Sequence, residues 1–321
     1  MQRIKLIKNQ LSSTPMEIGQ KIWVTKPIDQ LVFTKENSLK GKTIFITGAS
    51  RGIGLAIALR AARDGANITI AAKTVTEQKT LEGTIYTAAE QIRKAGGNAL
   101  PIQCDIRNEE SVKKAVELTV EKFGGIDILI NNASAINLSC TEELDMKRYD
   151  LMQNINARGT FLCSKYCLPY LKKSTNAHIL TISPDIKEIT KSQWFKDHVA
   201  YSTAKFGMSL CTLGMAEEFK QKGYNNIGVN CLWPKTVIAT AAANNVLGGD
   251  SLMRVGRLPS IMADAAYVII TSKSSKTTGN YFYDDEVLLS SGLTSADLLK
   301  YNYDKSVPQS DLAIDFFISV N

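Results

Sequence analysis

The chain has 321 residues, 44% of them hydrophobic, and a formal net charge of +7 from 38 Lys and Arg against 31 Asp and Glu. That length supports one large domain or two small ones with a real core. The basic excess is spread along the chain, with no arginine-rich run or zinc-finger spacing, which argues against nucleic-acid recognition; no apolar run is long enough to span a bilayer. The six cysteines form no Cys-x-x-Cys, and with only His178 and His198 beside them no zinc site is expected. Several cysteines sit in apolar segments, so buried, reduced thiols in a reducing compartment are the natural reading.

Residues 1–40 precede the first periodic segment. The first 16 residues contain Arg3, Lys5 and Lys8 and no acid, and Ile4, Leu6, Ile7 and Leu11 can share one helix face. This fits a mitochondrial presequence or an ordinary disordered start. The expectation leans to the mitochondrion, with peroxisome and cytosol as alternatives; Ser319-Val320-Asn321 is not a peroxisomal Ser-Lys-Leu address.

From Gly41 onward, short apolar runs alternate with amphipathic ones. The runs Thr43–Thr47, Asn67–Ala72, Ala99–Gln103, Ile126–Asn131, His178–Ser183 and Ile227–Leu232 read as strands, with helices such as Gly52–Asp64 and Glu109–Phe123 between them. Continuous apolar strands joined by helices predict an α/β fold, a doubly wound parallel sheet covered on both faces. Gly65, Gly96-Gly97 and Gly124-Gly125 fall where helices need left-handed caps. The last strand is expected at Asn280–Tyr283. The predicted organisation is a single domain, 41–290, with an N-terminal extension, 1–40, and a C-terminal tail, 291–321.

Between the first strand and its helix lies Thr47-Gly48-Ala49-Ser50-Arg51-Gly52-Ile53-Gly54. Absent side chains let backbone turn tightly and approach a pyrophosphate at the helix N-terminus. Gly48, Ser50, Arg51, Gly52, Ile53 and Gly54 are therefore candidate cofactor contacts. The spacing is Gly-x-x-x-Gly-x-Gly rather than the common Gly-x-Gly-x-x-Gly. The second strand ends Ala71-Ala72-Lys73-Thr74, without the acid that accepts bonds from a ribose 2′-hydroxyl. Lys73 and Arg51 can instead neutralise a 2′-phosphate, which predicts NADP(H) over NAD(H); the alternative is that both are ordinary surface cations.

Tyr201-Ser202-Thr203-Ala204-Lys205 places a phenol and an ammonium one helical turn apart on a shared face. A cation beside Tyr201 is expected to lower a pKa of about 10, making it a proton donor or acceptor near neutral pH.

Together these motifs resemble the short-chain dehydrogenase/reductase family over about residues 41–290. The parts stand in family order: the glycine turn, Asp105, Asn131-Asn132-Ala133, Asn156, Ser183, then Tyr201 and Lys205. The resemblance implies that Asp105 bonds the adenine and that Asn131 lines the adenosine side. It implies that Asn156 holds a relay water, Ser183 positions the substrate carbonyl, Tyr201 transfers the proton, and Lys205 binds the nicotinamide ribose. Thr240 is available for the carboxamide. Read without the resemblance, Asp105 is also a helix cap, Asn131 and Asn132 turn residues, Asn156 a helix-surface amide, and Ser183 a strand-end hydroxyl.

Three features depart from the family pattern. Ser134 replaces a glycine after Asn131-Asn132-Ala133, which matters if the backbone there needs positive φ. Lys235 follows Pro234 where glycine is usual, putting a cation beside the expected nicotinamide end. The stretch from Pro184 to Val199, with Trp194 and Phe195, is longer than usual; it is either a substrate-pocket wall or a self-packed surface bulge. His198 reads as a helix-start residue. The implied function is NADP(H)-dependent interconversion of a carbonyl and an alcohol on an apolar or lipid-like small molecule, by a homodimer or homotetramer. The alternative is a catalytically weak NADPH sensor or a subunit of a larger mitochondrial assembly.

Overall fold

The computed structural model describes residues 38–77 and 82–319. The basic start, and with it the mitochondrial expectation, lies outside them. The strands are β1 (Thr43–Thr47), β2 (Asn67–Ala72), β3 (Asn98–Gln103), β4 (Ile128–Asn131), β5 (Ala177–Ile182), β6 (Ile227–Trp233) and β7 (Tyr281–Tyr283). They form one seven-stranded sheet in the order β3-β2-β1-β4-β5-β6-β7, with every pairing parallel. The order reverses between β1 and β4, which opens a crevice at the carboxyl ends of the strands.

Side chains alternate across the sheet, so each strand serves two cores. Ile44, Ile46, Ile68, Ile70, Ile128 and Ile130 point to one face. There they meet α1 (Gly52–Ala62), α2 (Ile85–Lys94), α8 (Ser260–Thr271) and α9 (Asp284–Ser290). Phe45, Leu129, Ile179 and Val229 point to the other, against α3 (Glu109–Phe123), α5 (Gly159–Leu171) and the end of α6 (Val199–Gln221). Each such buried side chain contributes about 1.5–3 kcal/mol, which makes the sheet the anchor of the fold. Pro101 is tolerated in β3 because this edge strand pairs only with β2.

Element ends follow local chemistry. Asn108 caps α3 by accepting from Ser111 N at 2.9 Å, and Gly124 closes it at φ 84°. The first helix ends at Ala62, two residues before the expected Asp64. The Asp64 carboxylate is engaged instead by Leu39 N and by the Tyr267 hydroxyl, at 3.0 and 2.7 Å. Between α4 (Met146–Gln153) and α5, residues Asn154–Arg158 form one π-helical turn, a distortion frequent at functional sites. A short helix, α7 (Gly249–Arg254), follows β6.

The segment after α9 is not a loose trailer. Leu298, Tyr301, Phe317 and Ile318 are each no more than 3% exposed and join the first core cluster. After two short 3₁₀ turns, Asp297–Tyr301 and Gln309–Asp311, the chain runs back across the end of β6. Ile314 pairs antiparallel with Thr236 there.

Candidate active site

A cleft of about 830 Å³ opens at the crevice between β1 and β4. Gly48, Ser50, Arg51, Gly52, Ile53, Lys73, Asp105, Asn132, Ser134, Thr240 and Val246 are among its lining residues. Gly48 and Gly52 adopt φ values of +68° and +58°, so the chain turns back before α1 begins. Gly54 serves differently: a Cβ there would lie 2.5 Å from Asn132 Nδ2 and 2.9 Å from Gly48 O. The α1 N-terminus carries no side-chain cap and no acid in its first turn. Its free amides face a space bounded by Thr240, whose Cγ2 lies 3.7 Å from where a Gly52 Cβ would sit. Uncapped amides and absent side chains fit a dinucleotide pyrophosphate.

Asn132, not Asn131, lines this cleft. Its Nδ2 donates to Thr47 O and Gly48 O at 2.9 and 3.1 Å, while Thr47 Oγ1 accepts from the backbone of Asn132 and Ala133 at 3.0 Å each. These bonds lace the β1 turn to the end of β4. Asn131 is buried, with Nδ2 donating to Ser164 Oγ of α5 at 3.1 Å. Ser134 sits in ordinary backbone, since Phe317 is the only described residue with a side chain at positive φ.

At the β2 end, the Arg51 guanidinium donates to Glu82 O and Gly83 O at 2.8 and 2.6 Å. Lys73 Nζ lies 3.9 Å from Asp105, whose carboxylate is held by Arg107 at 2.6 Å. The Arg107 side-chain bonds, with burial opposing them, keep the Asp105 carboxyl below the usual carboxylate range. The helix-cap alternative for Asp105 does not hold, because Asn108 is the cap. Two cations thus line this end of the cleft, with one carboxylate already engaged.

Tyr201 and Lys205 share a face of α6, and Ser183 closes β5. The Ser183 hydroxyl is buried beside the Cys231 thiol, with no hydrogen bond to a protein oxygen or nitrogen. Asn156 lies in the π turn, fully buried, with its amide bonded both ways to the Ala135 backbone at 2.8 and 3.0 Å. The helix-surface alternative for Asn156 therefore fails; the side chain clamps the loop after β4. Lys205 Nζ donates to Ile182 O at 2.8 Å and sits 4.8 Å from the Trp233 ring centroid.

The electrostatics reverse one expectation. Burial pushes the Tyr201 phenol above its ordinary value, and the Asp315 carboxylate pushes it further the same way. The Lys205 ammonium is itself desolvated, and burial pulls it down to about 7. Asp315 is itself raised to about 7, first by burial. The element responsible is the tail, which the sequence pattern does not single out. Phe317 stacks on Tyr201 with centroids 5.8 Å apart, and Trp233 Nε1 donates to Phe316 O at 2.8 Å. The expected cation beside the nicotinamide end is also absent from the cleft lining. Lys235 Nζ turns to Glu286 at 3.8 Å and the Tyr283 ring at 4.6 Å. Trp194 packs edge-on against Phe317 at 5.9 Å and donates Nε1 to Glu188 Oε2 at 3.0 Å, so its segment packs both on the tail and on itself. His198 precedes α6, as a helix-start residue should, and its ring packs on Phe316.

The short chain dehydrogenase model matches residues 42–248. Hydroxysteroid dehydrogenase-like protein 2 of Xenopus laevis is 54% identical over 280 residues, covering 87% of this chain. The chain spans 64% of that relative's length. A short chain dehydrogenase structure from Mycobacterium thermoresistibile is 50% identical with a TM-score of 0.80, covering 88% of this chain and 96% of that one. An NADH-dependent reductase, A1-R′, complexed with NAD, is 26% identical with a TM-score of 0.61, covering 76% of this chain and 95% of that one. With the parallel sheet and the glycine turn in place, the chain belongs to the short-chain dehydrogenase/reductase family.

Proposed function

We propose that the protein is an NADP(H)-dependent reductase of an apolar, lipid-like carbonyl compound, or the oxidase of the matching alcohol. The observation that carries the cofactor choice is the β2 end of the cleft, where Arg51 and Lys73 stand where an acid would favour NAD. Both cations line that end of the cleft, and the Asp105 carboxylate, held by Arg107, leaves little free negative charge to repel a 2′-phosphate. The free amides of α1 and the turn at Gly48 and Gly52 hold the pyrophosphate, and Thr240 meets the carboxamide.

When bound, the nicotinamide supplies or accepts the hydride. Ser183 Oγ, buried with no hydrogen bond to a protein oxygen or nitrogen, bonds the substrate oxygen and fixes the carbonyl. Tyr201 delivers the proton to that oxygen, and Lys205 holds the cofactor ribose and stabilises the phenolate that remains. Asn156 keeps the loop after β4 in place through Ala135. Phe316 and Phe317 pack on Tyr201, and Trp194 and Trp233 pack on Phe317; this aromatic cluster supports an apolar substrate. A homodimer or homotetramer and a mitochondrial address, argued from the basic first residues, belong to the same proposal. A fluorescent fusion of residues 1–40 that stays cytosolic would remove the address.

The test is a titration with NADPH and NADH of the wild type and of Arg51→Ala/Lys73→Ala. The double variant should lose NADPH affinity by at least tenfold more than NADH affinity. Equal losses refute the cofactor choice. Tyr201→Phe should abolish turnover and leave NADPH affinity within about twofold; retained turnover refutes the proton-transfer role.

A further inference from the structure

Phe317 lies at the centre of an aromatic cluster. Its ring centroid is 5.0 Å from Phe206, 5.8 Å from Tyr201, and 5.9 Å from both Trp194 and Trp233. It is 1% exposed and leaves Tyr201 6% exposed. The cofactor cleft stops short of this point; neither Ser183 nor Tyr201 lines it. A mere wall would leave a cavity in front of the proton donor, whereas the Phe317 ring fills that place. Ser183 Oγ is buried at the same end of the sheet, with the weakly bonding Cys231 thiol beside it and no hydrogen bond to a protein oxygen or nitrogen, so a ligand oxygen would complete it.

The docked segment also carries signs of a reversible contact. Phe317 is a bulky residue at φ 61°, a conformation that persists only where surroundings impose it. Asp315 is buried beside the catalytic lysine and close to Asp284, a second carboxylate. The strand pairing is one isolated bridge, Thr236 with Ile314, rather than a ladder. The flanking bonds are Val237 N to Ala313 O at 2.9 Å and Asp315 N to Lys235 O at 3.2 Å.

We propose that Phe316 and Phe317 occupy the substrate's own apolar subsite, that the substrate carries a flat or bulky apolar group beside its carbonyl, and that the tail withdraws when such a compound enters. This rests on the oxidoreductase reading above. The pocket selects by shape and apolar contact: Trp194, Phe206 and Trp233 offer ring faces and edges that a flat group fills as Phe317 does. The Asp315 carboxylate leaves with the tail, so the open pocket no longer presents that charge to the substrate.

The bridge supplies a reversible lock. Thr236 and Ile314 form the non-hydrogen-bonded type of antiparallel pair, in which α-carbons lie closest and a disulfide can form. Full-length Thr236→Cys/Ile314→Cys, oxidised and reduced, is compared with wild type carried through the same oxidation. The probe is 2-acetylnaphthalene, with binding read by quenching of tryptophan fluorescence and turnover by NADPH consumption. Locking should leave NADPH affinity within about twofold, cut ketone binding and turnover at least tenfold, and be undone by reductant. Phe317→Ala, made independently of the lock, should bind the ketone at least threefold more tightly than wild type. Unchanged ketone binding in the locked protein, weaker binding by Phe317→Ala, or binding by neither protein overturns the proposal. Lock-sensitive binding without turnover of any carbonyl in the reduced protein instead refutes the oxidoreductase reading and leaves the subsite standing.

Discussion

Gly52 and Gly54 stand two apart in one motif, yet the structure asks different things of them. At Gly52 the need is conformational: φ is +58°, and an added Cβ would meet nothing closer than Thr240 Cγ2 at 3.7 Å. Gly52→Ala should cost about 1–2 kcal/mol, the penalty of a left-handed alanine. At Gly54 the need is space. A Cβ would strike Asn132 Nδ2 at 2.5 Å, Gly48 O at 2.9 Å and Ala49 Cα at 3.0 Å, and two of these are backbone atoms. Overpacking of this kind costs about 1–3 kcal/mol. Displacing Asn132 also breaks its two bonds to Thr47 O and Gly48 O, at about 1 kcal/mol each. Gly54→Ala should therefore lose about 3–5 kcal/mol. With an unfolding entropy of about 2 cal/mol/K per residue, that lowers Tm by about 5–8 °C, against about 2–3 °C for Gly52→Ala. Thermal unfolding of the two variants without cofactor measures the difference. A Gly54→Ala protein as stable as Gly52→Ala would refute the steric account of the motif.

Asn156→Ala leaves the Ala135 N–H and C=O without their side-chain partners inside the protein, and should destabilise by about 2–4 kcal/mol, read as a reduced urea midpoint at unchanged m. If Asn156 only held a water, stability would hardly change. Asp284 is buried, receives Lys235 N and Asp285 N, lies near Asp285, Arg257 and Asp315, and is raised to about 7, first by burial. A raised carboxyl favours the fold below its unfolded value of about 4, and that favour is lost as pH rises through 7. Asp284→Asn should therefore gain stability over wild type at pH 8, by no more than about 4 kcal/mol, and gain little at pH 4. A larger gain at pH 4 than at pH 8 contradicts the sign.

The sheet and its helices were written locally. β1, β2 and β6 are continuous apolar runs because both faces are buried, and their expected bounds differ from those observed by one residue at most. The glycine turn and the Tyr201–Lys205 spacing are likewise short-range patterns. What the sequence did not display depends on contacts across long separations. Asn132 cannot be told from Asn131 until the Gly48 turn comes to meet it, some 84 residues away. Trp233 reaches Phe316 across 83 residues. The tail has no helical or strand period to announce burial, and Phe317 takes a conformation that no propensity favours. The cue that was present is the apolar run Phe316-Phe317-Ile318 after a polar stretch, which reads as a core segment once β6 is seen to lie beneath it.

That tail changes the chemistry as well as the shape of the site. With it docked, the phenol of Tyr201 is desolvated and faces a carboxylate, both of which favour its protonated form. Lys205, drawn down to about 7, loses part of the charge that should steady a phenolate. A Tyr–Lys pair in this state holds its proton but is poorly prepared to give it up. Withdrawal of residues 315–317 removes Asp315, which frees the Tyr201 phenolate from a neighbouring anion but takes a carboxylate from Lys205, and it readmits water to both, which favours the charged forms that proton transfer uses. On the proposal that the tail withdraws, access for substrate and exposure of Tyr201 to water are one event.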